Sequence, residues 1–452
     1  MNALVPVALA GWLVVACVLF LTQPFRRAVI LATLLPFLFL PQTNYELLGV
    51  IHLGKDFAIS WGLLLGLLIA RESSLLRFRP TLLDLPVFLF CLSPLLASLS
   101  NGLGPYDGMT AVYRNLVLTA IPYLAGRIAF RSGSPVDLVR WLVIAGLVYV
   151  PLCLIEIRLS PQLSSWVYGF FPHSFGQQIR YGGFRPVVFM NHGLLVAFWM
   201  ASWTTICAWL WLRGRTQALG PLPMWVVFLL LFFTTMLCKT IGAYMLLALG
   251  LGIVWVCSRP ALSVVVLRGV ILTPVVFLAC RITGLIDGYG LVALLEMFDS
   301  RAAASLRTRV RNEEMLIAKA LQRPLFGWGS WGRNRIYDED GRDISITDGL
   351  WVIHLGQRGL LGFVSWVLMI LLPAWLVLKR MREGASGRSH DAGSAALGAL
   401  VFLAVSVFIY SIPNALSGAL VMLCLGALAS SALAAQSPAR GAAPSRPDRE
   451  AT

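Results

Sequence analysis

The chain has 452 residues, 58% of them hydrophobic and 13% charged, with a mean hydropathy of +0.78. A soluble domain carries roughly 25% charge, so a water-soluble fold is excluded, and the apolar residues run in blocks near the ~20 that cross a bilayer. The net charge of +15 does not point to nucleic acid, because most basic residues sit in short loops between apolar blocks, where membrane topology puts them.

The blocks are continuous rather than alternating, so helices are expected and a barrel is not. The fold class is read as all-α: a polytopic helical membrane protein with about 12–13 transmembrane helices and one large outward loop carrying short helices. Candidate spans lie at 3–21, 28–40, 52–70, 83–99, 110–129, 138–157, 187–211, 222–238, 241–257, 262–280, 350–378, 395–410 and 416–434. The first lacks a basic leader and a small-residue cleavage site, so a retained span is expected there. Alternate loops are basic, with Arg26 and Arg27, then Arg71, Arg77 and Arg79, then Arg127 and Arg131. Arg213 and Arg215, Arg259, and finally Lys379, Arg380, Arg382 and Arg388 continue the series. The positive-inside rule turns these toward the cytoplasm, with the N-terminus outside and the C-terminus inside. The expected organisation is ten spans over 1–280 with a small outward loop at 158–186, a large outward loop at 281–349, three spans over 350–435, and a disordered cytoplasmic tail at 436–452.

The eight cysteines lie in or at the ends of apolar blocks and form no C-x-x-C pair. They read as small buried hydrophobes, and neither a metal nor a cofactor is expected. The interiors of most spans look clean, with Arg114, Glu156 and Arg268 near expected ends.

Chemistry is expected on the outward side. Before the seventh span the chain reads Gln177-Gln178-Ile179-Arg180-Tyr181-Gly182-Gly183-Phe184-Arg185-Pro186. Arg180 and Arg185 either snorkel to lipid headgroups or fork onto the oxygens of an anion. Lys239 stands in a two-residue outward turn before a helix start, again a place for either snorkelling or an anion. Residues 281–348 hold 20 of the chain's 57 charged side chains, ten of each sign. Within them Ser300 to Gln322 reads as a helix with Met315, Leu316, Ala320 and Leu321 on its buried face, and Arg309 and Glu313 spaced as a solvated pair. Arg307 and Arg311, of like charge one turn apart, are better tolerated beside a bound anion. The following run, Arg323-Pro324-Leu325-Phe326-Gly327-Trp328-Gly329-Ser330-Trp331-Gly332, offers two tryptophans as interfacial anchors or as a surface for sugar rings. The acidic stretch Asp338 to Asp343 lacks the ligand order of a calcium loop and reads as solvated. Asp348, at the mouth of the eleventh span, is either a helix cap or a carboxylate with a raised pKa, suited to act as a general base. His354, two turns further on, reads as a packed or polar-lining histidine.

These residues together carry a resemblance. Arg309 in a helix, then Pro324-Leu325-Phe326-Gly327-Trp328-Gly329, then a polar residue opening a span that contains Leu355, Gly359 and Gly362, resembles the O-antigen ligase and polymerase family of bacterial envelope enzymes. Pro122-Tyr123-Leu124-Ala125-Gly126-Arg127 and the basic turn at Lys239 add to the likeness. Three positions depart from the family pattern: Asp348 and Gly349 stand where the family has His-Asn, and Lys239 where it often has Arg.

The resemblance implies a metal-independent glycosyltransferase of the bacterial inner membrane, working at the periplasmic face in surface polysaccharide or exopolysaccharide synthesis. Its donor would be an undecaprenyl-pyrophosphate-linked glycan and its acceptor a glycan or lipid-glycan, with membrane lipids and polysaccharide export or flippase proteins as partners. Arg180, Arg185, Lys239 and Arg309 would bind the pyrophosphate, and Asp348 would deprotonate the acceptor hydroxyl. The rival readings are a transporter or flippase of lipid-linked sugars, which would place charges or broken helices in span centres, and a non-catalytic assembly protein, which would not gather these residues at one place.

Overall fold

The computed structural model describes residues 1–47, 51–70, 78–131, 133–257, 260–297, 300–383, 392–414 and 418–434. Arg71, Arg77, Arg259, Arg388 and the tail 436–452 lie outside the described residues. In chain order the elements are α1 (Leu4–Thr22), α2 (Phe25–Phe39), the hairpin β1–β2 (Asn44–Leu47 with Ile51–Gly54), α3 (Lys55–Ile69) and α4 (Leu85–Ser100). Then come α5 (Pro105–Asn115), a π turn leading into α6 (Ile121–Ala129), α7 (Val136–Leu159), α8 (Leu163–Tyr168) and the hairpin β3–β4 (Ile179–Arg180 with Gly183–Phe184). Next follow α9 (Gly193–Ala208), the hairpin β5–β6 (Ala218–Leu219 with Leu222–Pro223), α10 (Met224–Leu237), α11 (Ile241–Val256) and α12 (Pro260–Ile282). The chain closes with α13 (Tyr289–Glu296), α14 (Ser300–Leu321), α15 (Leu350–Glu383), α16 (Ala392–Tyr410) and α17 (Ala419–Ala434).

The protein is mostly helical, and six stretches are long and apolar enough to cross a membrane: Leu4–Thr22, Val136–Leu159, Gly193–Arg213, Val265–Ile282, Leu350–Lys379 and Ala392–Tyr410. Four shorter apolar helices accompany them, α4, α10, α11 and α17. Prolines stand in the first turns of α4, α5 and α6, where a missing N–H leaves no bond unmade. The centre is formed by α9, α16 and α17, buried on nearly every face, whereas α1 buries one stripe. Helices α6 and α17 cross with backbones touching at Gly126 and Gly426. A Cβ on Gly126 would strike the Leu423 carbonyl, and one on Gly426 the Tyr123 carbonyl, so close approach here needs glycine.

Hydrogen bonds define the two ends of the bundle. At one end Asn2 N–H donates to Tyr168, Lys55 Nζ to Phe189, Tyr410 Oη to Leu194, and Leu350 N–H to Ser411. The segments 158–192 and 281–349 therefore share an end. There α13 and α14 close a small core of Val292, Ala303 and Val310, and α14 joins the main core through Leu316, Ile317 and Ala320. Of the expected face Leu316 and Ala320 are buried, Met315 is half-buried and Leu321 is exposed, while Ile317 is buried in addition.

The glycine- and tryptophan-rich run is a structural splice. Helix α15 is broken at Gly359 (φ 60°, ψ −163°). Above the break, the carbonyls of Gly356 and Gln357 accept the N–H groups of Trp328 (2.9 Å) and Gly329 (3.0 Å). Below it, Leu360 and Leu361 donate to Pro324 (2.7 Å) and Leu325 (3.2 Å). One loop thus satisfies the backbone groups that the break leaves open on both sides. Gly327 and Gly359 lie backbone to backbone at the join. The Trp328 indole is occupied too: it donates to the Lys319 carbonyl at 2.7 Å and lies under the Lys319 ammonium. Of the two expected aromatic surfaces, Trp331 alone is exposed.

Candidate functional site

The first cluster is built from the α7–α9 connection and the α10–α11 turn. Buried Glu156, at the end of α7, accepts the N–H groups of Leu163, Val187 and Val188 at 2.9, 2.7 and 2.7 Å. This carboxylate pins the segment that carries Arg185. Tyr181 and Gly182 both have positive φ and make the tight turn of β3–β4. Lys239, also left-handed at φ 50°, meets this hairpin: Arg185 Nη2 donates to the Lys239 carbonyl at 3.3 Å, and Lys239 Nζ to the Tyr181 carbonyl at 3.4 Å. Two basic residues 54 positions apart are thus brought into contact.

Arg185 is 6% exposed. Its side chain lies with that of Gln178 over Gly193, and both Arg185 Nε and Gln178 Oε1 lack a partner. Among the described residues no carboxylate pairs with it. Burial, with the charge of Arg180 added, lowers its pKa. His192 caps α9 by accepting Leu194 N–H on Nδ1 at 2.9 Å, while Nε2 meets Gln177 at 3.1 Å. Burial and the positive charges of its neighbours push its pKa down to about 4. Both ring nitrogens are engaged, so His192 is a neutral positioning group and not a free base. Left-handed non-glycine residues gather at this end: Ser160, Tyr181, Val188, Lys239 and Trp331, against Arg215 at the other. Such strain is commonly held at functional sites.

The second cluster is an ion pair. Arg309 Nε lies 3.4 Å from Asp348, and the two side chains are 43% and 44% exposed. The dry edge expected around Asp348 is therefore absent, and the carboxylate faces a guanidinium. Among the hydrogen bonds of the described residues none runs from the first turn of α15 to the Asp348 carboxylate, and the Leu350 N–H donates to the Ser411 carbonyl at 2.9 Å. Glu313 pairs not with its expected partner Arg309 but with Arg281 at 3.3 Å; burial raises its pKa, and Arg281 partly offsets that rise. Arg307 pairs with Glu296 at 2.7 Å, which removes it from any anion site. The enclosed space beside Asp348 is about 20 Å³, room for a water but not a sugar.

A further concavity opens next to the start of α15 and was not foreseen. It encloses about 440 Å³ between α4, α5, α15, α16 and α17, with Ser330 and exposed Trp331 at its mouth. Arg358 stands at the α15 break, donating to Phe90 O at 3.3 Å and Asn115 Oδ1 at 3.1 Å, with its guanidinium over the Phe90 ring. His354 lines the same space, packed edge-on against Phe90, as a polar-lining histidine was expected to be. The expectation of clean span interiors is corrected by Arg358 and, in the first turn of α3, by buried Lys55 and half-buried Asp56. Each was readable as an ionisable residue inside an apolar block; what hid them was their position within blocks taken as uniform.

The stretch 338–343 is a solvated turn, with Asp338 accepting two backbone N–H groups and Asp343 paired with Arg335. Among the described residues no three His, Cys, Asp or Glu side chains converge as a metal set. The chain matches no family model, and no curated protein shows significant similarity to it.

Proposed function

We propose that this chain is a bacterial inner-membrane glycosyltransferase with about 12–13 spans that transfers or polymerises a polyprenyl-pyrophosphate-linked glycan at its outward face. The observation that carries this reading is Arg185: a buried guanidinium without a carboxylate, touching Lys239 and near Arg180, at the same end as Arg309 and Asp348. Positive charge held in advance where a pyrophosphate leaves stabilises the transition state.

In the reaction the acceptor oxygen attacks the anomeric carbon. A C–O bond forms there as the C–O bond to pyrophosphate breaks. The leaving group departs with the electron pair onto Arg185, Lys239 and Arg180. The acceptor proton passes to Asp348. Arg309 links the two events: once drawn to the pyrophosphate it releases Asp348, whose carboxylate is then free to take the proton.

A transporter of lipid-linked sugars is the second reading, favoured by the break in α15 beside Arg358. The test is the fate of lipid-linked glycan in cells carrying Arg185→Ala, Lys239→Ala or Asp348→Ala at unchanged membrane levels. Unpolymerised units are expected to accumulate on the outer side while polymer or ligated product disappears. Product persisting in all three variants would sink the site. Intermediates retained on the cytoplasmic side would give the transport reading instead.

A further inference from the structure

We infer that the 440 Å³ cavity is a subsite for a sugar that bears a carboxylate, so that the glycan handled by this protein is acidic. The inference deepens the glycosyltransferase reading and rests on it for the word glycan. The binding chemistry itself rests on the cavity.

Four charged residues line the space: Asp56, Asp107, Arg114 and Arg358. The two carboxylates are already matched. Asp107 holds Arg333 at 2.7 Å, and Asp56 lies beside Lys55 and accepts Ala419 N–H at 3.5 Å. The two guanidinium groups are not matched. Arg358 has a backbone carbonyl, an amide and an aromatic face as neighbours, and among the described residues Arg114 has no ion pair. Arg358 is half-buried, and such a cation without a counter-charge is unfavourable unless an anion arrives, while exposed Arg114 adds a second positive charge at the rim.

The remaining lining favours a sugar over a simple ion. Asn115 and His354, 8% and 7% exposed, keep Nδ2 and Nδ1 without partners. Thr110, Thr119 and Gln357 add neutral groups for hydroxyls. Trp331, held at the mouth with φ 64° and 69% exposed, offers a ring face. Below this polar rim the floor is apolar, with Trp366, Met369, Ile370 and Met422, which keeps out water and strengthens the charge contact. The matched carboxylates weigh against a polyanion such as pyrophosphate, for which the Arg185 cluster is the better place.

The test is calorimetric binding to the purified full-length protein in lipid nanodiscs, without turnover. The probes are a glucuronate-terminated disaccharide, its glucose-terminated counterpart and inorganic pyrophosphate. The acidic disaccharide is expected to bind about tenfold or more tightly than the neutral one. That preference should vanish in Arg114→Gln, an exposed position that leaves the packing intact, and in Arg358→Gln. Equal affinity for the two disaccharides overturns the proposal, as does a preference that survives both substitutions. Pyrophosphate that displaces the acidic disaccharide from Arg185→Gln protein also overturns it, by making the cavity the carrier's own site. A cell that still makes polymer with Arg185→Ala would refute the glycosyltransferase site and leave the acid preference of the cavity standing.

Discussion

Two arginines are buried at opposite ends of this bundle, and their surroundings differ in kind. Arg127 is 5% exposed, and the donors for which partners are seen are well placed. Nε and Nη2 meet Asp84 at 2.8 and 3.0 Å, Nη1 meets Ser430 at 3.1 Å, and Tyr123 gives Asp84 a further hydrogen bond at 2.8 Å. This is a clasp that ties α4, α6 and α17 together. Arg185 is buried just as deeply, at 6%, yet it has one backbone carbonyl, an idle Nε and no carboxylate. A buried charge is tolerated when paired and expensive when not. The first arrangement holds the fold together; the second leaves a buried cation that, on the function proposed above, meets an anionic ligand.

The largest effect that follows is on the clasp. Asp84→Ala strands Arg127 among buried groups and is expected to cost about 3–5 kcal/mol. The readings are the unfolding midpoint in detergent and the yield from membranes. Removing Arg127 as well should restore part of the loss. If Asp84→Ala were as stable as the parent, the two arginines would not differ in the way argued.

The next effect lies at the splice. Gly359→Ala puts a methyl group against the Leu325 carbonyl at a left-handed position, and a loss of about 1–3 kcal/mol is expected. Gly11→Ala, in open space on α1, serves as the control and should be neutral or slightly stabilising. Equal behaviour of the two variants would mean that the loop and the broken helix do not depend on each other.

Histidine 192 gives a smaller, pH-dependent difference between the ends. Its pKa falls from 6.5 to about 4 in the fold, so between those values the unfolded chain binds the proton and the folded chain does not. Stability from this group is present above pH ~6.5 and is lost as pH falls toward 4, by on the order of 2 kcal/mol. Unfolding midpoints from pH 7.5 to 4.5 should therefore fall more steeply for the parent than for His192→Gln. Parallel curves would show that His192 is not held neutral by Arg180, Arg185 and His173.

Legibility in the sequence follows the same division. The helices were readable because long apolar blocks leave the backbone little choice in lipid, and Arg180, Arg185 and Lys239 were readable as cations against the topology rule. The clasp was not, since Asp84 and Arg127 are 43 positions apart and Arg127 reads equally well as a loop charge. The splice was hidden because Gly359 inside an apolar run looks like ordinary helix, and Pro324 to Gly329 like ordinary loop. Only their backbone-to-backbone contact shows that each completes the other. Arg358 was hidden with it, its place in the cavity being set by the break. Asp348 was singled out on the assumption of an apolar edge, and the pairing with Arg309 across the α14–α15 gap could not be read from spacing along one helix.

Arg185→Gln sharpens the comparison most, because its stability change is expected to be the smallest. It removes a buried charge that nothing neutralises, while a glutamine amide can keep the bond to the Lys239 carbonyl. The loss of that charge and the loss of packing act in opposite directions, so stability should stay within about 1 kcal/mol of the parent. Affinity for pyrophosphate and transfer of glycan should fall by about a hundredfold, the scale of one lost transition-state donor. The two measurements belong together. A stable protein without activity is what a ligand-seeking arginine predicts. A protein that unfolds would show that Arg185 holds the α7–α9 connection as Arg127 holds its end. A stable protein with full activity would leave Arg185 buried for a reason that neither end of the bundle explains.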